Sequence, residues 1–113
     1  MTLGQKQRLF ARLIAELISW AYEQGYEVTC GDAFRDPRVH GRFGAKKGYG
    51  RKNSCHKLKL AMDLNLFIEG RYQKTTKAHH ALGKKWESMH SLCRWGGRFN
   101  DGNHYSMTHW GVQ

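Results

Sequence analysis

The sequence is poor in acid, in proline and in long apolar runs. Only nine Asp and Glu stand against nineteen Lys and Arg, a formal net charge of +10 with the seven histidines neutral. Such a surplus sets a positive field over much of the surface and makes polyanions the natural partners: nucleic acid, an anionic membrane, or the phosphate-rich polymers of a bacterial wall. Charge alone does not choose among them, and a basic surface also serves plain solubility. No apolar run approaches the ~18 residues that cross a bilayer. The stretch Phe10 to Trp20 is broken by Arg12 and Glu16 and is followed by no small-residue cleavage site, so it does not read as a secretory signal. The three cysteines, Cys30, Cys55 and Cys93, are odd in number and form no C-x-x-C pair, which argues against a disulfide framework and against a cysteine zinc finger. Folding in a reducing cytoplasm is the expectation, with some other agent needed for release if the substrate lies outside. One proline, no biased tract and 40% hydrophobic residues argue against disorder. A chain of 113 residues is expected to form one domain that buries roughly two-thirds of its unfolded surface.

What is present has two clear periodicities. From Gln5 to Gln24 the apolar residues Phe10, Leu13, Ile14, Leu17 and Ala21 recur at helical spacing, and Gly25 supplies a stop. Tyr26, Val28 and Cys30 then alternate with polar neighbours as in a half-buried strand. Asp36 to Asn53 holds four glycines, Pro37 and seven Lys, Arg or His residues without apolar periodicity, and reads as a long basic loop. In Leu60 to Ile68, Met62, Leu64, Leu66 and Ile68 define a core face while Asp63 and Asn65 occupy the other. Glu69-Gly70 turns this strand into Arg71-Tyr72 as a hairpin. Thr75 or Thr76 is expected to cap a second helix carrying the stripe Ala78, Leu82, Trp86, Met89 and Cys93, slightly weakened by Gly83. Short strands and turns follow from Trp95. The expected class is α+β: a small single domain with a mainly antiparallel sheet and two main helices.

The residues that can carry chemistry are histidines and acids. His79, His80 and His90 read as polar residues on the surface of the second helix, and His40 as a solvated or anion-facing group. His56 precedes Asp63 by seven residues, so a loop-borne imidazole can fold back on a carboxylate of the strand's polar face. Asp101-Gly102-Asn103-His104 lets two more polar groups converge. His56, Asp63 and His104 together make a borderline-soft set of two imidazoles and one carboxylate, suited to Zn²⁺ with a fourth position open to water. Asp101 is the candidate general base for that water, although Asn100-Asp101-Gly102 equally suits an Asx turn. Arg35, at the end of the first strand, can hold a substrate carboxylate or a developing oxyanion; it also reads as one more surface charge.

Three segments together resemble one family. Ser54-Cys55-His56-Lys57-Leu58-Lys59-Leu60-Ala61-Met62-Asp63 is similar to the S-x-H-x-x-G-x-A-x-D signature of the zinc D-alanyl-D-alanine carboxypeptidases and L-alanyl-D-glutamate endopeptidases. Trp95-Gly96-Gly97-Arg98-Phe99-Asn100-Asp101-Gly102-Asn103-His104-Tyr105 resembles that family's W-G-G-x-F-x-D-x-x-H-F/Y segment, and Thr29 to Arg35 its strand-end arginine motif. The likeness runs in order from about Val28 to Trp110. It implies a zinc peptidase of hedgehog/DD-peptidase-like fold with metal ligands His56, Asp63 and His104, Asp101 as general acid/base and Arg35 as substrate or oxyanion contact. Ser54 and Trp95 would support the site or the substrate. Lys59 stands where the signature has Gly. Asp101 stands where the carboxypeptidase and dipeptidase branches have Glu, and Asp there is typical of bacteriophage endolysins.

The implied function is therefore a phage endolysin that hydrolyses the L-Ala–D-Glu bond of the peptidoglycan stem peptide. Its single catalytic domain, residues 1–113, would act as a monomer without a separate wall-binding domain, accumulating in the host cytoplasm and reaching the wall through holin pores. The basic surface would draw it to the anionic envelope. A D-Ala-D-Ala carboxypeptidase of the same family is the alternative bond specificity. A basic nucleic-acid binder or metal-dependent nuclease is the alternative from another class, against which the chain carries no recognised nucleic-acid motif.

Overall fold

Local signals at both ends of the first helix set its length. In the computed structural model, which describes residues 1–45 and 53–113, α1 runs from Leu3 to Glu23. Thr2 and Gln5 close a capping box at its start, and Gly25 leaves it with φ of 86°. Its buried stripe is Phe10, Leu13, Ile14, Leu17 and Ala21, joined by Lys6. Strand β1, Tyr26–Cys30, follows at once. Its last residue, Cys30, is exposed and not on the core face expected from the alternation. A one-turn helix, α2 (Pro37–His40), interrupts the expected basic loop. The loop's Lys46, Lys47, Gly48 and Gly50 and the side chain of His40 lie outside the described residues.

A 3-10 turn, Cys55–Leu58, leads into the central strand β2, Ala61–Ile68. Glu69 and Gly70, both at positive φ, make the two-residue turn that matches strand twist and return the chain as β3, Arg71–Tyr72. A further 3-10 turn, Lys77–His79, opens α3, His80–Met89, and Thr75 rather than Thr76 accepts the capping hydrogen bond, from the Ala78 amide. The helical stripe ends at Met89. Cys93 belongs to β4, Cys93–Trp95, because the chain turns extended at His90. The 3-10 turn Gly96–Phe99 and β5, His104–Met107, complete the sheet. The sheet is wholly antiparallel, in the order β1-β2-β5-β4 with β3 also paired to β2.

Helices α1 and α3 pack together and against the sheet. Between them lie Leu64 and Leu66 of β2, Tyr105 of β5 and Trp86 of α3, all fully buried. Trp86 anchors this layer edge-on to Phe10 and Tyr105 and donates its indole N–H to the carbonyls of Ser106 and Arg94. Leu64 and Leu66 face the helices, so the period of two turns Asp63 to the opposite face. There it faces a cleft instead of the core. The radius of gyration, 13.7 Å, matches the ~13 Å of a compact single domain of this length.

Candidate metal centre

Register places the first two candidate ligands. Asp63 of β2 pairs directly with His104 of β5, and directly opposed residues share a face. The third comes from the 3-10 turn. Ser54 caps that turn by accepting a hydrogen bond from the His56 amide at 3.2 Å, which sets the imidazole's starting direction. The turn ends at Lys59 in the left-handed conformation, φ 57° and ψ 36°, where Gly is the usual occupant. A lysine thus adopts the backbone that a glycine would favour, and Leu60 proceeds into β2 from there.

The three side chains converge. His56 Nε2 lies 3.2 Å from Asp63 Oδ1, His104 Nδ1 lies 3.5 Å from the same oxygen, and one ligand atom from each residue falls within 4.8 Å of the others. The other His56 nitrogen, Nδ1, stands 2.7 Å from the carbonyl oxygen of Ala33. A carbonyl only accepts, so Nδ1 carries a proton toward it and Nε2 is the ring nitrogen turned toward Asp63. Nε2 is buried and has no hydrogen-bond partner. It lies beside the Asp63 carboxylate, so two atoms that can both ligate a cation are brought side by side. Burial acts to raise the Asp63 carboxyl, and the imidazoles of His104 and His56 outweigh it, holding the group well below the usual carboxylate range. Two imidazoles and one carboxylate are a donor set that fits a divalent ion, and the chain can hold a metal here. The Ala33 carbonyl supplies the outer contact that fixes the orientation of a ligating histidine.

This cluster opens into a cleft of about 340 Å³, lined also by Arg35, Asn53, Ser54, Phe99, Asp101, Gly111, Val112 and Gln113. Arg35 is tied to the turn below. Its amide donates to the His56 carbonyl, its guanidinium donates to Ser54 Oγ at 3.2 Å, and its Nε lies 3.4 Å from Asp32 Oδ2. Ser54 therefore links the arginine to the histidine turn. Asp101 is exposed on the cleft wall. Its carbonyl accepts from the His104 amide and its amide donates to Gly96, so the acid is carried on the same tight loop as a candidate ligand. Trp95 is not among the lining residues. A Cβ at Gly83 or Gly97 would collide with its ring, and its indole donates to the Gly102 carbonyl at 2.7 Å. It buttresses the Asp101 loop from behind.

His79, His80 and His90 lie elsewhere. His79 is buried, not on the helix surface, with its Nδ1 2.8 Å from the Tyr105 hydroxyl. Burial holds its pKa below the ordinary imidazole value. His80 sits edge-on to Trp95, and His90 is just past the end of α3. All three cysteines are free, and burial pushes the Cys55 and Cys93 thiols up to about 12, which makes them poor nucleophiles. Gly111, Val112 and Gln113 of the cleft wall were not singled out by the sequence reading, and nothing in their types signals such a place. No protein-family model matches the chain, and no curated protein does.

Proposed function

We propose that this chain is a zinc-dependent peptidoglycan endopeptidase of the bacteriophage endolysin type, hydrolysing the L-Ala–D-Glu bond of the stem peptide. The observation that carries this reading is the partnerless, buried Nε2 of His56 facing the ionised Asp63 carboxylate, with His104 beside them, at the floor of a cleft lined by Arg35 and Asp101. The three motifs that resemble the zinc D-Ala-D-Ala carboxypeptidase and L-alanyl-D-glutamate endopeptidase family supply these same residues. Asp rather than Glu at position 101 favours the endolysin branch and the internal bond.

His56, Asp63 and His104 would hold the zinc ion, which when bound supplies Lewis acidity and a water of lowered pKa. Asp101 accepts the proton of the attacking water at its carboxylate and delivers it to the leaving nitrogen of D-Glu. Arg35, held by Ser54 and Asp32, donates its guanidinium hydrogens to the carbonyl oxygen as charge develops, or to a substrate carboxylate. Trp95 and Gly102 keep the Asp101 loop in register with His104. The +10 charge favours an anionic envelope. On this reading the protein is made in the host cytoplasm and released through holin pores.

The test is hydrolysis of a synthetic, sugar-free stem peptide. Cleavage between L-Ala and D-Glu, abolished by a chelator and restored by zinc, is expected. Release of terminal D-Ala alone would transfer the chain to the carboxypeptidase activity, and no cleavage by protein shown to contain zinc would refute the peptidase reading.

A further inference from the structure

Beyond β5 the chain makes a second tight turn. His109 and Val112 pair across it, the amide of each donating to the carbonyl of the other at 3.0 and 2.9 Å. The two residues at its tip, Trp110 and Gly111, have φ of 50° and 74°. A turn with both central residues left-handed is ordinarily occupied by Asn, Asp or Gly, and a bulky residue there is strained. Packing does not explain Trp110: it is 75% exposed, more than any other large hydrophobic residue described. Its ring is nonetheless held. The His109 imidazole lies 4.3 Å from it and the Phe43 ring 5.7 Å, centroid to centroid, and His109 is itself fixed by Lys6 Nζ at 3.0 Å from its Nδ1. A strained backbone that presents a held, exposed aromatic face points to a binding role. The next three residues, Gly111, Val112 and Gln113, line the metal cleft, so the ring adjoins the cleft wall.

We propose that Trp110 is a stacking platform for a sugar ring of the glycan strand from which the substrate peptide hangs, an inference that rests on the peptidase reading above. A pyranose presents a face of C–H bonds whose partly positive hydrogens pack on the negative face of an indole. Within the turn itself, His109 to Gln113, there is no Lys or Arg, and the nearby ammonium of Lys6 is engaged with His109 and the Thr108 carbonyl, so the indole face is the turn's principal recognition feature. A nucleic-acid strand stacked on the ring would need cations following its backbone. Sugar and peptide belong to one polymer, so contact at Trp110 raises the local concentration of peptide at the adjoining cleft.

The test uses Trp110→Asn, which removes the ring and places at φ 50° a residue that tolerates it. Its unfolding midpoint is expected to equal or exceed that of the native chain, so loss of binding is not loss of fold. The probe is the β-1,4-linked N-acetylglucosamine tetramer, titrated by calorimetry into native, Trp110→Asn and Trp110→Tyr proteins. The native and Tyr forms are expected to bind it, and the Asn form about tenfold or more weakly, the scale of one lost ring stack. The ratio of activity on intact wall to activity on sugar-free stem peptide should fall by a similar factor in Trp110→Asn. Absent or equal tetramer binding in native and Asn forms overturns the proposal. So does a Trp110-dependent affinity for oligothymidylate, or a native dimer that Trp110→Asn dissociates, with no sugar bound in either case. Inactivity of the native protein on both wall and peptide would sink the peptidase reading instead, and the calorimetric comparison would still decide the sugar site.

Discussion

The Ala33 carbonyl decides which nitrogen of His56 is available. Because it can only accept, it holds the Nδ1 proton and turns Nε2 toward Asp63. Asp101 differs in kind: it is exposed, carried on the loop that leads to His104 and outside the His56, Asp63 and His104 group, and the proposed function gives it the proton transfer. Asp101→Ala is therefore expected to keep stoichiometric zinc and lose about 10²–10⁴-fold in peptide turnover. His56→Ala and His104→Ala are expected to lose both, as read by metal analysis of the purified variants beside the hydrolysis rate. An Asp101→Ala protein of normal turnover would remove that residue from the mechanism. His79 answers to a different variable. Burial holds its pKa in the folded chain below that in the unfolded chain, so the unfolded chain takes up the proton first as pH falls below about 6.5. Its contribution is complete above that value and lost as pH drops toward the folded pKa, and burial of His109 beside Lys6 acts in the same direction. Urea unfolding of metal-free protein at pH about 7.5 and about 5.5 should show this loss, and His79→Gln should make it shallower.

At the scale of elements, the parts legible in the sequence are those whose reason is periodic. The α1 stripe repeats the helical turn, β2 alternates with period two, and Gly70 supplies the turn residue suited to positive φ after Glu69. Each of these needs only neighbours in sequence. The spacing of His56 and Asp63 and the Asp101 to His104 turn suggested convergence in the same local way, whereas the Asp63–His104 pairing depends on register across forty residues of chain and becomes visible only in the sheet. Other features have no local signal. Cys93 continues the four-residue stripe of α3 although the chain has already turned at His90. Cys30 ends its strand exposed, and His79 is buried by contact with Tyr105, 26 positions away. Gly83 reads as a blemish in a helix until the Trp95 ring is found against it. That contact reverses the usual sign of a glycine substitution. Gly83→Ala gains about 1 kcal/mol of helix propensity, yet the new methyl displaces a ring pinned by its bond to Gly102, a cost of about 1–3 kcal/mol. A net loss of stability is expected in thermal or chemical unfolding, and a stabilised Gly83→Ala would contradict this account of Trp95.

At the scale of the whole molecule, the two helices and the sheet enclose one core, and the opposite face of the sheet carries the His56, Asp63 and His104 group and its cleft. Among the described residues no helix is long and apolar enough to cross a membrane. The charge of +10 acts on encounter more than on chemistry, because salt screens exposed charges beyond about 10 Å at 0.1 M. Association with wall fragments should weaken steadily as salt rises. Neutralising Arg42, Lys46 and Lys47 together should flatten that dependence, measured by sedimentation with purified wall, while cleavage of the small stem peptide responds much less. An unchanged salt profile would remove these residues from wall attraction.

The most direct test of the central claim is mass spectrometry of purified peptidoglycan after digestion with the native protein, with and without chelator. The account expects a new amino terminus at D-Glu that disappears on chelation and returns with added zinc. Digestion by zinc-loaded protein that leaves the stem peptides intact would contradict it.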